Sequence, residues 1–162
     1  MRQVAVPPAA RSRSTLCHID YADAFVVDTG PTRDWTGEQW ARAILQDAPI
    51  TVRSGLLAGW SAIGLKLGSG RSGRSVLGWE VRASTPEFVL LGARSRIGMP
   101  GELLFKPERR SLLFCTFVQH DNPIAHALWA AIEPTHVRVV HDLLERAGQR
   151  LRSQSTQPTH EE

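Results

Sequence analysis

The side chains able to do chemistry in this chain are few: Asp23, the pair Arg94 and Arg96, and His136. Asp23 stands between Tyr21 and Phe25, so a fold that buries those rings buries the carboxyl too. A buried carboxylate needs a partner, most commonly an arginine. His136 is either a hydrogen-bonded core residue, the commoner fate, or an acid–base group that titrates near neutral pH. Arg94 and Arg96 are two apart, which on a strand sends both guanidinium groups to one side. On a concave side they would offer forked donors to a carboxylate or enolate; on a convex side they are solvated.

Two other patterns carry less. Gly68-Ser-Gly-Arg-Ser-Gly73 has the glycine spacing of a dinucleotide loop, but that loop must follow a strand and open a helix. Here a helical pattern precedes and a strand pattern follows, so a connector is expected, with anion binding through Arg71 and Arg74 as the alternative. His126, His136 and His141 share a helical stretch at spacings that put no two on one face within a turn. Neither a metal nor a cofactor is expected, and no Ser, His and Asp set can be recognised as a triad.

The elements that must position these groups run in a telling order. Tyr21 to Asp28 alternates as a strand apolar on both faces, and Gly30 with Pro31 ends it. A helix begins at Thr36, whose hydroxyl caps it, with Gln39 completing a capping box and Trp35 with Trp40 forming a staple. It stops near Asp47, ahead of Pro49. A second helix carries Val52, Leu56, Trp60, Ile63 and Leu67 on one stripe and ends on Gly68. Its glycines Gly55, Gly59 and Gly64 each cost up to ~1 kcal/mol against alanine, so packing must hold it.

From Val76 the period becomes strand-like. Leu77, Trp79 and Val81 alternate with Gly78, Glu80 and Arg82; Ser84 to Pro86 turn the chain; Glu87 to Ser95 returns. Glu102 to Lys106 and Leu112 to Gln119 follow, the last apolar on both sides and therefore central. This reading gives five clear strands. Asn122 caps a final helix with Pro123 at its first position, running to Leu151 over ~43 Å. Pro134 is expected to kink or break it between Ala130 and Glu133. Trp129, Ile132, His136, Val140, Leu143 and Leu151 form its inner stripe. The fold class is α+β: a curved antiparallel sheet wrapped around a long C-terminal helix, with two short helices after the first strand. Such an arrangement leaves an apolar hollow between sheet and helix.

At 162 residues the chain fits one domain, which buries roughly 68–70% of its unfolded surface. Residues 1 to 15 and those from 152 onward lack an apolar period and read as disordered arms around a domain at 16 to 151. The basic side chains are nearly all arginine, and a net charge of +3 is modest for this length, so no nucleic-acid surface is expected. Cys17 and Cys115 read as reduced, in a cytoplasmic protein. No secretory leader opens the chain, and the uncharged core Ser54 to Leu65 is short of the ~20 residues a membrane span needs.

Tyr21-Ala-Asp-Ala-Phe25, Glu38-Gln-Trp-Ala-Arg42, Gly78-Trp79, Ala93-Arg-Ser-Arg96 and the segment around His136, in this order of elements, resemble the helix-grip fold of the SRPBCC or START-like superfamily. The resemblance spans about residues 18 to 151 and is to a bacterial branch related to the polyketide cyclases and dehydrases and to lipid-transport proteins. It implies a small hydrophobic or amphipathic ligand held between sheet and C-terminal helix. The candidate lining is Tyr21, Asp23, Trp60, Trp79 and Leu90, continuing through Arg94, Phe117, Trp129 and His136. Two further roles stay open: a cyclase or dehydratase using Arg94, Asp23 or His136 in the same cavity, and a protein-interaction module, with the two-sided strand Leu112 to Val118 suggesting a homodimer.

Overall fold

The computed structural model describes residues 1–30, 34–69 and 73–155. Pro31, Arg71 and the residues after Ser155 lie outside them. The described strands are β1 (Arg2–Val4), β2 (Tyr21–Asp28), β3 (Leu65–Lys66), β4 (Ser75–Val76), β5 (Trp79–Ser84), β6 (Val89–Ser95), β7 (Gly101–Pro107) and β8 (Ser111–Val118). They form one antiparallel sheet in the order β1-β2-β8-β7-β6-β5-β4, with β3 joining the end of β6. The helices are α1 (Pro8–Arg11), α2 (Gly37–Ala41), α3 (Ile50–Ala62) and α4 (Pro123–Ser155). This is the helix-grip layout, with a long last helix held by a curved sheet.

Local signals explain most boundaries. Thr36 Oγ1 accepts from Gln39 N–H and Gln39 Oε1 accepts from Thr36 N–H, so the capping box closes in both directions. The Trp35 and Trp40 rings meet at 5.0 Å. α2 then runs into a π-helical turn, Arg42–Gln46, and the segment ends at Asp47. Asn122 Oδ1 accepts from Ala125 N–H at the start of α4.

Four expectations are corrected. α3 ends at Ala62 rather than near Leu67, because Gly64 takes φ +81° and frees Leu65 and Lys66 to pair with Ser95 and Arg94. Leu77 is not in a strand: Leu77 and Gly78, both at positive φ, form the two-residue turn joining β4 to β5. α4 does not break before Pro134, which sits inside a continuous helix whose neighbours Trp129 and Val140 are anchored in the core. Residues 1 to 15 are not a disordered arm. Arg2 to Val4 pair with Ala24 to Val26, and Ala10 is buried.

That last correction gives the sheet two covered faces. On the inner face Phe25, Leu91, Phe105 and Phe114 pack against Trp40, Ile44 and Leu45, and against Val140, Leu144 and Ala147 of α4. On the outer face Leu90, Leu104, Cys115 and Phe117 pack under Ala10, Val4, Val6, Leu16 and Ile19. The N-terminal segment therefore supplies the cover that strands apolar on both sides require. Glu102, fully buried on this outer face, fastens it by accepting from Ser14 Oγ at 2.5 Å and from Thr15 N–H at 3.1 Å. Arg82 Nη1 reaches the same carboxylate at 3.3 Å by crossing Gly92, where any Cβ would stand 1.9 Å from Arg82 Nε.

Candidate functional site

α3 and α4 diverge above the inner face of the sheet and leave a groove of about 490 Å³. α3 contributes Val52, Leu56, Trp60 and Ile63 to it at helical spacing, and α4 contributes Trp129, Ile132, His136, Val139 and Leu143. Gly55 and Gly59 complete the α3 wall, and a Cβ built on either has no atom within 4 Å. Below the groove lies a second cavity of about 50 Å³ against the sheet, lined by Trp79, Leu103, Thr116 and Val118 among others. Trp60, Ile63, Trp129 and His136 line both, so the two spaces share a wall of side chains.

The polar groups meet there. Asp23 on β2 is 4% exposed; its Oδ2 accepts from Tyr21 Oη at 2.8 Å and faces His136 Nε2 at 2.9 Å. A carboxylate oxygen accepts, so this contact assigns a proton to Nε2 of His136. Burial and the neighbouring Asp23 carboxylate push the Tyr21 phenol far above its ordinary range, which fixes it as a donor. Rings hold the imidazole in place: Trp129 lies 5.1 Å from it and Tyr21 meets it edge-on at 5.9 Å. Tyr21 also packs on Trp129 at 4.8 Å, and Trp60 on Trp79 at 5.3 Å.

Several buried polar atoms around this floor have no hydrogen-bond partner within the described protein: Asp23 Oδ1, Thr116 Oγ1, Trp79 Nε1 and Trp129 Nε1. Thr116 is the direct cross-strand partner of Asp23. Their residues are all at least nine-tenths buried. Unsatisfied groups at such depth are costly, so each calls for a polar partner from outside the chain, a water or a ligand.

Six of the nine sequence candidates, Tyr21, Asp23, Trp60, Trp79, Trp129 and His136, converge on this region. Leu90 and Phe117 do not: strand parity sends them to the outer face, under the N-terminal segment. Arg94 is also on the outer side, exposed beside its register partner Lys66, and cannot serve the cavity. The partners of Asp23 are a histidine and a tyrosine rather than an arginine. Thr116 was missed, although a single hydroxyl in the apolar run Leu112 to Val118 marks it.

The sequence has no family-model match and no match to a curated protein. Among the described residues no group of three His, Cys, Asp or Glu side chains could hold a metal ion, and no helix is long and apolar enough to cross a membrane. The strand Leu112 to Val118, expected to offer an interaction face, is buried on both sides by its own chain.

Proposed function

We propose that this protein is a START-like helix-grip protein that binds a small apolar or amphipathic molecule in the groove between α3 and α4, its inner end resting over the sheet. The observation that carries the reading is the groove itself, lined mainly by apolar side chains of both helices, with two glycines on the α3 wall that no neighbouring atom requires to be small. A helix under selection for stability alone would gain up to ~1 kcal/mol from alanine at each. A reducing, cytoplasmic setting accords with two free cysteines, one of them buried.

Nile red tests this directly. Wild-type protein should bind it saturably with a fluorescence gain, and Gly59→Leu, which projects a side chain into the groove, should lose that binding while keeping its unfolding midpoint. Equal binding by Gly59→Leu would reject the groove as the site.

The His136–Asp23 contact favours a second reading, an enzyme that moves a proton. Asp23 holds the ring in one tautomer while Nδ1 can accept a proton from a bound substrate. Arg94 takes no part, for the reason given. A lyase or cyclase assay would show this activity abolished in His136→Gln.

A further inference from the structure

The polar floor says what kind of head a ligand of this groove carries. We infer that the site selects an amphiphile with a neutral hydroxyl head, one that both accepts and donates hydrogen bonds, over a carboxylate of the same length. This rests on the groove being the binding site.

The donors and acceptors set the chemistry. Trp79 Nε1 and Trp129 Nε1 can only donate, so they require an acceptor oxygen. Asp23 Oδ1, behind the cavity and directly across the strand pair from Thr116, can only accept, so it requires a hydrogen. Thr116 Oγ1 serves in either sense. A hydroxyl meets both kinds of requirement, since its oxygen accepts an N–H bond while its hydrogen goes to an acceptor. An ether oxygen satisfies the indoles but leaves the acceptor unmatched. A carboxylate fails differently: the inner cavity is lined by no lysine or arginine, and Asp23 is bonded to the histidine in its wall. An anionic head would be desolvated beside another carboxylate without a cation. The inner cavity, about 50 Å³, has room for a head group but not for a chain, which must stay in the groove above.

The test uses the full-length protein with 1-octanol, methyl octyl ether and octanoate at pH 8, measured by displacement of Nile red and by calorimetry. Octanol should bind roughly tenfold more tightly than the ether, the effect of about one buried hydrogen bond, and at least as far ahead of octanoate. Thr116→Val should shrink that preference, and Thr116→Ser should restore it. If Thr116→Val folds poorly, Trp129→Phe removes one donor and should narrow the octanol advantage in the same way. Octanoate binding as well as octanol, or an ether equal to the alcohol, overturns the head-group assignment while leaving the groove as an apolar site. If neither Nile red nor any of the three binds, both the assignment and the groove reading fall.

Discussion

His136 on α4 and Asp23 on β2 are 113 residues apart in the chain, yet their side chains meet at 2.9 Å, with Tyr21 on the same carboxylate oxygen. This contact ties the long helix to the sheet at a point where both side chains are largely buried. Removing either partner leaves the other with an unmet polar group, so His136→Ala and Asp23→Ala should each cost about 1–3 kcal/mol. The double variant should cost less than the sum. Urea unfolding of the four proteins measures the coupling, and additivity within about 0.3–0.5 kcal/mol would show that the contact contributes nothing of its own.

Gly37 opens α2 hard against the sheet. A Cβ there would stand 2.5 Å from Val89 N, 2.6 Å from the Phe88 carbonyl carbon and 2.7 Å from Phe105 O. All three are backbone atoms of β6, β7 or their approach and cannot swing aside. Gly37→Ala should therefore destabilise by about 3 kcal/mol, whereas Gly55→Ala, with open space around it, should stabilise by up to ~1 kcal/mol. Similar unfolding midpoints for the two variants would contradict this placement of α2.

Glu102 decides whether the N-terminal segment stays on the sheet. Its carboxylate takes Ser14, Thr15 and Arg82 at once, and it is wholly buried. Glu102→Ala should lose about 3 kcal/mol and free the exposed bonds after Arg11 and Arg13 for trypsin. Limited proteolysis reads this as faster appearance of a shortened chain. Cleavage at the wild-type rate would mean that the apolar cover of Val4, Val6 and Ala10 suffices alone.

These residues also show where the sequence was legible. The capping box at Thr36 and the stripe on α4 are local patterns with periods of their own, and both are found as read. Residues 1 to 15 have no period because they are pinned from outside: β1 borrows β2 for pairing, and Ser14 and Thr15 are held by an acid 88 and 87 residues away. The site was half legible for a similar reason. The aromatic and ionisable members could be named, but register assigns faces, and register is a property of strand pairs. Once Asp23 faces inward, its partner Thr116 must face inward too, and Phe117 must turn away.

His120 gives the protein a defined response to acid. Partial burial is the main cause that lowers its pKa; Asp20 opposes this, while His126 and His18 add to it. Its backbone N–H donates to Asp20 Oδ2 at 2.6 Å and its Nδ1 lies 3.2 Å from His126 Nδ1, an arrangement that needs at least one unprotonated nitrogen. Because the folded value is below the unfolded one, the unfolded chain binds more protons in the window between them. The stabilisation is therefore complete above about pH 6.5, the unfolded histidine value, and is lost as pH falls through the folded one. His120→Gln should flatten this dependence, so that its urea midpoint changes less than the wild type's between pH 7 and pH 5. Parallel curves for the two proteins would place the acid response elsewhere in the fold.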